Sequence, residues 1–225
     1  MTTQEDYRDS SGRTLADYPR PSVAVDTAVL TVVDGTLAVL LTRPADAAAT
    51  SRDEWRLPGA FLHEGETLRD AALRSLREKA GIDGLHPRQL RVFDALDRDD
   101  RGWVLSVAHV DAVPADRVVT TESTRVVAAD ELPPLPYDHD EIVAAAVADL
   151  RERYASAPDP AGLLPPGPFA ISELRALHEA VAGARVNPDT FRRSVIDRLR
   201  ATGEIRTGVR GKPAELFVRA MDSTK

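Results

Sequence analysis

Residues 57–82, LPGAFLHEGETLRDAALRSLREKAGI, predict a loop that leads into an amphipathic helix. Thr67 is placed to cap this helix together with Asp70, three residues further on. Gly81 follows as a helix stop signal. At helical spacing, four residues fall within one apolar arc that is expected to face a core: Ala72, Leu73, Leu76 and Ala80.

This loop and helix resemble the Nudix box, whose pattern is Gly-x5-Glu-x7-Arg-Glu-apolar-x-Glu-Glu-x-Gly-apolar. The residues that match the pattern are Glu66, Arg74, Glu78, Gly81 and Ile82. The resemblance implies an α+β fold, an α/β/α sandwich with a mixed sheet, and a pocket for a nucleoside diphosphate compound. In Nudix enzymes, carboxylates of the helix hold Mg²⁺ against the phosphates while a pyrophosphate bond is cut.

Three positions depart from that pattern. Ser75 and Lys79 stand where the family has glutamates, and Ala60 stands where a second glycine is usual. Ser75, Glu78 and Lys79, at positions i, i+3 and i+4, are predicted to share one helix face. Mg²⁺ requires hard oxygen ligands, whereas a lysine amine pairs with phosphate. The resemblance and its departures imply a pocket that binds its nucleotide without useful hydrolysis, so that no catalytic residue and no required cofactor are expected.

A second interpretation keeps the hydrolase activity. Glu64, Glu66, Asp70 and Glu78 are carboxylates that together could hold enough Mg²⁺ for slow turnover. The chain would then be an active Nudix pyrophosphatase, an ADP-ribose hydrolase, with an accessory C-terminal domain. Glu66 and Glu78 are the weak metal candidates in either interpretation.

The residues predicted to contact the ligand come from the helix, from the loop and from the strand end before it. They are Arg43, Trp55, Arg56, Gly59, Glu66, Arg74, Glu78 and Lys79. Arg43 ends a predicted strand, where it can reach a ligand phosphate, and a solvated surface position explains it equally well. Trp55 can stack on a base or a ribose, with core packing as the alternative.

Composition and charge narrow the class of protein. The chain of 225 residues is long enough for one large or two small domains. It has no cysteine, which excludes disulfides and thiolate metal sites. With no apolar run that could span a membrane and no N-terminal signal core, it is expected to be cytoplasmic. Residues 165–225 carry a net charge of +4 and residues 1–164 a net charge of −11, so that only the C-terminal part is expected to meet nucleic acid.

The remaining N-terminal pattern predicts a sheet protein with a helix. Residues 1–17 are polar and are predicted to be disordered. Asp34-Gly35 is a hairpin signal between two apolar, β-branched runs. His109 lies in an apolar run and is interpreted as a core histidine rather than a catalytic one. The predicted strands are 23–33, 36–42, 90–96, 103–110 and 122–127, and the predicted helix is 140–154.

Residues 18–157 are predicted to form a Nudix-like ligand-sensing domain. Residues 158–168, PDPAGLLPPGP, contain five prolines and are predicted to be a linker or a stiff segment on a domain surface. Residues 169–225 are predicted to form a winged helix-turn-helix DNA-binding domain.

Two helices and a basic hairpin make up this C-terminal prediction. The first helix is predicted at 170–181 with Ser172 as its N-cap. The second is predicted at 189–202 after the Asn187-Pro188 start signal, with Gly203 ending it. Residues 204–206 and 215–219 are predicted to pair as the wing.

In such a domain the second helix enters the major groove, where side chains read base edges, and cations on the wing neutralise phosphates. The predicted DNA-binding residues are Asn187, Thr190, Arg192, Arg193, Arg206, Arg210 and Lys212. The alternative is a small helical docking domain whose arginines are ordinary surface charges.

A degenerate Nudix box followed by a winged helix-turn-helix resembles the Nudix-related transcriptional regulators of NAD metabolism, the NrtR type. The likeness rests on YPRPSVAVD, on WRLPGAF with HEGET, and on FAISELRALHEAV, FRRSVIDRL and GVRGKPAELF. It implies a homodimer that represses genes of NAD biosynthesis or salvage from a palindromic operator in double-stranded DNA. ADP-ribose or a related NAD derivative would be its effector. A structural adaptor that binds neither nucleotide nor DNA is a third interpretation.

Overall fold

The computed structural model describes residues 8–43, 54–207 and 213–220. The strands within those residues are Ser22–Val33 (β1), Thr36–Thr42 (β2), Gly59–Phe61 (β3), Arg88–Phe93 (β4), Val104–Ala112 (β5), Thr124–Ala128 (β6), Phe169–Ala170 (β7), Leu199–Arg206 (β8) and Ala214–Arg219 (β9). The α-helices are Leu68–Ser75 (α1), His139–Ser156 (α2), Ile171–Ala182 (α3) and Pro188–Val195 (α4). Short 3₁₀ turns lie at Leu15–Asp17, Ala115–Arg117 and Ile196–Arg198, and α1 continues as a π-helical turn at Leu76–Ala80.

Strand β1 is the centre of the larger sheet. The strand order is β4-β5-β1-β2-β6, and β3 pairs with the first half of β1 beside β2. The β1–β5 pair is parallel and the other pairs are antiparallel, so that the sheet is mixed, as the fold prediction requires. The predicted hairpin is confirmed, because Asp34 and Gly35 both have positive φ, at 50° and 75°, between β1 and β2.

The period-2 pattern of β1 divides the core into two layers. Val25 and Val29 face the side of α1, in clusters with Ala72 and Leu76. Ala28 and Leu30, at the alternate positions of β1, face the other side, where helix α2 packs. The two helices on opposite faces of a mixed sheet form the α/β/α sandwich predicted from the sequence.

The C-terminal part packs a second, smaller core. Strands β7, β9 and β8 form an antiparallel sheet against α3 and α4, with Phe169, Leu174, Phe191, Val195 and Phe217 buried among them. Helix α3 also contributes Leu177 and Val181 to the large core beneath α2. The winged helix part is therefore joined to the larger sheet by shared apolar packing.

The predicted length of the second helix in this part is wrong. Helix α4 ends at Val195, and the chain runs through a 3₁₀ turn into β8 instead of remaining helical to residue 202. Pairing of β8 with β9 outweighs the helix propensity of Leu199-Arg200-Ala201. Gly203, with a φ of 79°, lies at an irregularity of the β8–β9 pairing and does not end a helix.

The start of α3 also differs from the prediction. Ala170 occupies the N-cap position in place of Ser172, because residue 170 is still paired in β7. The Glu173 carboxylate accepts a hydrogen bond from the Ala170 N–H at 2.7 Å and so satisfies that free donor.

Two segments outside the main elements also have defined structure, residues 9–17 and the proline-rich segment 158–168. Residues 9–12 form a turn, and Leu15–Asp17 a 3₁₀ helix, inside the tail predicted to be disordered; residues 1–7 lie outside the described part. In the proline-rich segment, Asp159 and Leu163 are buried. Among the described residues, no helix is long and apolar enough to cross a membrane.

Candidate functional site

A small cavity of about 140 Å³ lies where β1, β3, the π-helical turn and the start of α2 meet. Its walls are Ala24, Asp26, Arg56, Leu57, Gly59, Ala60, Phe61, Lys79, Arg98, Asp99, Arg101, Tyr137 and His139. Of the residues predicted to bind ligand, Arg56, Gly59 and Lys79 line this cavity. The other five lie outside its walls.

The floor of the cavity is a buried polar network around Asp26. One carboxylate oxygen, Oδ1, lies 3.3 Å from His139 Nε2, and the other, Oδ2, accepts a hydrogen bond from Ser106 Oγ at 2.6 Å. The Arg98 guanidinium is 3.7 Å from Oδ2. Burial works to raise the pKa of Asp26, but the hydrogen bonds from His139 and Ser106 and the charge of Arg98 hold that pKa below its usual value.

The bonding around His139 fixes its tautomer. The backbone N–H of Leu57 donates to Nδ1 at 3.0 Å, so that Nδ1 carries no proton and Nε2–H donates to Asp26. Next to it, Asp138 accepts two hydrogen bonds from Arg98, at 2.8 Å from Nε and 2.5 Å from Nη2. The start of α2 is therefore tied to the cavity floor by two neighbouring side chains.

Gly59 and Lys79 form the side of the cavity nearest the box helix. A Cβ atom at residue 59 would overlap the Asp26 carboxylate and lie 2.9 Å from the Val25 carbonyl oxygen, so that only glycine fits. The Lys79 amine donates to the Gly59 carbonyl. Burial lowers the pKa of Lys79, and the charge of Asp26 opposes that shift.

Arg101 forms part of the cavity wall beside two aromatic rings. The guanidinium carbon of Arg101 lies 5.1 Å from the ring centroid of Phe61 and 4.8 Å from that of Tyr137. Asp99 accepts hydrogen bonds from Arg101 Nε at 2.8 Å and Nη2 at 2.6 Å. Tyr137 has a φ of 61°, a left-handed conformation that costs about 1–3 kcal/mol for such a residue.

Three of the four candidate carboxylates, Glu66, Asp70 and Glu78, contact other side chains of the box. Arg74 donates to both oxygens of Glu66, at 2.8 and 2.9 Å, and these bonds lower the pKa of Glu66 to about 2. Glu78 lies 3.7 Å from Arg74 with 57% of its side chain exposed. Asp70 bonds the backbone and hydroxyl of Thr67, which confirms the predicted capping box.

The predicted common face of Ser75, Glu78 and Lys79 is wrong. Ser75 is fully buried, at 0% exposure, and its hydroxyl has no hydrogen-bond partner among the described residues, whereas 57% of the Glu78 side chain is exposed. After Ser75 the chain enters the π-helical turn, in which the N–H of Gly81 bonds the carbonyls of both Arg77 and Leu76.

The side chains present do not fit the magnesium site that a Nudix fold implies. Glu66 is held by Arg74, Lys79 supplies a cation at a ligand position, and Ser75 faces the core. In the described part of the chain, no group of three carboxylate or histidine side chains is placed to hold a metal ion.

Arg43 and Trp55 stack on one another at the edge of the sheet. The Arg43 guanidinium carbon lies 5.4 Å from the Trp55 ring centroid, and that of Arg125 lies 4.2 Å from the same ring. The ring also packs partly against the large core. The side chain of Trp55 thus has two cations against it and does not line the cavity.

Sequence reasoning missed most of the cavity floor and mouth. The missed residues are Asp26, Arg98, Arg101, Tyr137 and His139. Asp26 carried a usable signal, because it is one acid within the apolar run VAVDTAVL. The others stand in polar segments, where nothing in the spacing sets them apart.

The second candidate surface is helix α4. The Asn187 side chain accepts from the N–H groups of Asp189 and Thr190, each at 3.1 Å, so that its role as N-cap is confirmed. Arg192 and Arg193 are exposed on this helix, with Arg192 3.7 Å from Glu215 on β9. These residues give α4 an exposed basic face, as a helix that reads DNA requires.

The wing is described only in part. Arg206 donates to Glu173 at 2.8 Å and to the Pro168 carbonyl at 3.3 Å, so that its side chain contacts the start of α3. Arg210 and Lys212, both predicted to bind DNA, lie outside the described residues.

A buried junction joins α2 to the winged helix part. Asp159, whose side chain is 0% exposed, accepts from Tyr154 Oη at 2.6 Å, from Leu163 N–H at 2.9 Å and from Leu164 N–H at 3.1 Å. It also forms an ion pair with Arg219 on β9. Burial and the charge of Asp159 raise the pKa of Tyr154, which keeps its hydroxyl protonated as a donor.

His178 on α3 completes this junction. Its Nε2 lies 2.5 Å from the Pro158 carbonyl oxygen, and its ring meets Tyr154 at 5.1 Å and Phe191 of α4 at 4.8 Å, both edge to face. Burial lowers the pKa of His178. The His109 prediction is likewise confirmed, since His109 is buried and bonds the Val107 carbonyl at 2.9 Å.

Comparison with known proteins identifies both parts. Residues 22–150 match the family model of the NUDIX domain, and residues 160–218 match that of the NrtR DNA-binding winged helix domain. The chain is 29% identical over 211 residues to the ADPR responsive transcriptional repressor NtrR of Acinetobacter baylyi, covering 90% of this chain and 83% of that protein.

Two further similarities bear on the same assignment. The crystal structure of Shewanella oneidensis NrtR complexed with a 27mer DNA superimposes with a TM-score of 0.72 at 28% identity, over 88% of this chain and 93% of that one. An ADP-ribose pyrophosphatase of Methanocaldococcus jannaschii is 28% identical over 129 residues, which is 56% of this chain and 73% of that protein. The chain therefore belongs to the NUDIX family, and its C-terminal part is a winged helix domain of the NrtR type.

Proposed function

We propose that this chain is a homodimeric transcriptional repressor of genes for NAD biosynthesis or salvage. Its winged helix domain would bind a palindromic operator, and its NUDIX pocket would bind ADP-ribose or a related NAD-derived nucleotide. One observation carries the proposal: a single chain joins an NrtR-type winged helix domain to a NUDIX pocket whose box lacks a free carboxylate set. The name of the Acinetobacter relative supports the choice of effector.

The pocket is suited to bind a pyrophosphate without cutting it. Arg56, Lys79 and Arg101 bring three cations to its walls, and phosphate oxygens accept from such groups. Glu66 and Glu78, which the sequence assigns to the same site, lie against Arg74. We therefore propose that the protein is not an enzyme and needs no metal for ligand binding.

Helix α2 offers the route between the two sites. Its first residue, His139, is bonded to the cavity floor, and Tyr154 near its end is bonded to Asp159 in the junction. Its 18 residues span about 27 Å at the usual helical rise. A ligand that shifts His139 would move a rigid element whose far end reaches β9 through Asp159 and α4 through His178 of α3.

The direct test is operator retardation with and without ADP-ribose at fixed salt. We expect ADP-ribose to change the operator affinity, and operator DNA to change the ADP-ribose affinity by the same factor, because coupling between two sites is reciprocal. An operator affinity that is independent of ADP-ribose would contradict the proposal. Measurements should fix the salt concentration, since phosphate contacts make DNA affinity depend steeply on it.

The second candidate is the pyrophosphatase, favoured by the similarity to the Methanocaldococcus enzyme. Incubation of the protein with ADP-ribose and Mg²⁺ distinguishes a pyrophosphatase from a repressor. The repressor proposal predicts a rise in melting temperature with ADP-ribose and AMP release well below about 1 s⁻¹, the low end of common enzyme turnover. Turnover inside the common range would establish the enzyme instead.

Replacing Arg192 and Arg193 together by alanine should weaken specific operator binding about thirtyfold or more. Each side chain is exposed on α4, and a good base contact contributes about 1–3 kcal/mol of discrimination. Retardation of operator against scrambled duplex measures the loss. Arg175→Ala is the control for each single replacement, Arg192→Ala or Arg193→Ala, because it removes one arginine from α3, where Arg175 pairs with Glu179 at 2.6 Å. Equal loss in the single replacements and in this control would mean that α4 does not read the operator.

A further inference from the structure

The outer end of strand β8 has little packing to hold it. All eight residues of β8 are described, and none of them is buried. Its pairing with β9 is irregular between Ala201 and Ile205, and beyond that point Ile205 pairs with Glu215 and Arg206 with Ala214. A two-stranded ribbon without a buried face is marginally stable at best. This end of the wing therefore needs a side-chain contact to fix its direction.

Arg206 makes such a contact. Its Nη1 donates to the Glu173 carboxylate at 2.8 Å, and its Nη2 donates to the Pro168 carbonyl at 3.3 Å. Pro168 directly precedes β7, and Glu173 lies in the first turn of α3. Because β9 lies between β8 and β7 in this sheet, the Arg206 side chain crosses β9 to reach both acceptors. The end of β8 is thereby tied to the opposite edge of the sheet.

The acid that receives Arg206 is itself held in place. Glu173 accepts from Arg206 at Oε1 and from the Ala170 N–H at Oε2, the latter at 2.7 Å. The helix dipole also favours an acid in the first turn of α3. Exposed ion pairs contribute little in part because both side chains lose freedom. Glu173, although 45% exposed, is already oriented by its bond to Ala170, so that less freedom is lost.

The start of α3 is in turn fixed to helix α4. Leu174, next to Glu173, is fully buried in one cluster with Phe191 of α4. His178, one turn further along α3, meets the Phe191 ring at 4.8 Å. Arg206 at the end of β8 is thus linked, through Glu173 and α3, to the helix proposed to read the operator.

The charge of Glu173 works against DNA binding. A free arginine that neutralises a phosphate releases counterions and tightens binding. An arginine paired with an acid is less available for a phosphate, and the acid itself repels the phosphate. The Glu173–Arg206 pair therefore reduces the attraction for DNA while it fixes the end of β8, which fits a positioning role.

We propose that Arg206 positions the wing and makes no phosphate contact of its own: paired with Glu173, it braces the outer end of β8 against the start of α3. The wing and α4 then meet DNA as one rigid unit, and less ordering is left to occur on binding. This inference rests on the proposed operator binding. It gives Arg206 a different role from the phosphate contact that the sequence predicts, and it adds Glu173 as a second positioning residue.

Glu173→Gln tests the brace, because charge alone and the brace predict opposite signs. The amide oxygen of glutamine can accept from the Ala170 N–H and keep the helix cap. Its amide nitrogen then faces Arg206, where two donors cannot bond. Charge alone predicts tighter DNA binding after loss of an acid, whereas the brace predicts binding weakened about two- to fivefold, the range for exposed ion pairs. Retardation at fixed salt measures the affinity of folded protein for a duplex that the unmodified protein has selected from a randomised pool.

A double-mutant cycle with Arg206→Gln shows whether the two side chains act as one contact. Each single change breaks the same pair, so that the double variant should bind more tightly than the product of the two single effects predicts. Single effects that simply multiply in the double variant would mean that the residues act independently, and would overturn the brace.

Glu204→Gln is the matched control, because Glu204 is exposed on the same strand as Arg206 and the change removes the same charge. Equal weakening by Glu204→Gln and Glu173→Gln would overturn the brace, as would unchanged binding by Glu173→Gln. Tighter binding by Glu173→Gln, with a salt slope steeper by about 0.9, would show that the freed Arg206 contacts a phosphate and would also overturn it. The proposed function stands in all these cases, whereas failure of the unmodified protein to select any duplex would overturn that function itself.

Discussion

Asp159→Ala is expected to lower the free energy of unfolding by about 3–5 kcal/mol, the usual cost of removing one partner from a buried ion pair. The Asp159 side chain is fully enclosed and accepts from Tyr154, from two backbone N–H groups and from Arg219. Alanine leaves all of these donors without their acceptor, and the Arg219 charge without its partner. Denaturant unfolding monitored by circular dichroism measures the loss.

The same variant should disconnect the two sites. In the proposed route, movement of α2 reaches β9 through Tyr154, Asp159 and Arg219. With Asp159 absent, the ratio of operator affinities with and without ADP-ribose should approach one. If the ratio persists in a folded Asp159→Ala protein, the coupling runs elsewhere, for example through the shared packing of Leu177 and Val181.

Tyr154→Phe is the milder companion to this variant. It removes one hydrogen bond of 2.6 Å and leaves Arg219 paired with Asp159. A loss of about 1 kcal/mol is expected, as for a single hydrogen bond, so that this protein stays folded if Asp159→Ala does not. A loss as large as that of Asp159→Ala would mean that the ion pair with Arg219 adds little.

Local signals in the sequence were sufficient where one short segment determines its own structure. The Asp34-Gly35 turn, the Thr67 capping box and the Asn187 cap each depend on residues within a few positions. The period-2 pattern of β1 also predicts its two buried faces. These features need no knowledge of distant contacts.

Features that depend on distant pairing were not predictable in this way. Helix α4 ends early because residue 199 pairs with Arg219, which nothing near residue 199 reveals. The cavity floor brings Asp26, Arg98, Ser106 and His139 together from four separate segments. The π-helical turn that follows Ser75 was not predictable either, because single-sequence helical spacing assumes a regular helix.

Asp26→Ala is also expected to lower the free energy of unfolding by about 3–5 kcal/mol. The change leaves the His139 N–H and the Ser106 hydroxyl without an acceptor and removes a charge facing Arg98, all in a buried site. Ser106→Ala removes only one of these bonds and should lower the free energy of unfolding by about 1 kcal/mol. Parallel urea titrations of the two variants compare these losses.

The pH dependence of the stability lost in Asp26→Ala tests whether that loss is electrostatic. The pKa of Asp26 in the folded chain lies below its ordinary value of 3.8, so that the carboxylate stabilises the fold above that pH. The stability gap between the unmodified chain and Asp26→Ala should stay constant from neutral pH down to about 3.8 and shrink below it, as the folded carboxylate takes up its proton. A gap that stays constant below pH 3.8 would assign the loss to the cavity left by the side chain, and a gap that grows with acid would have the wrong sign for a depressed pKa.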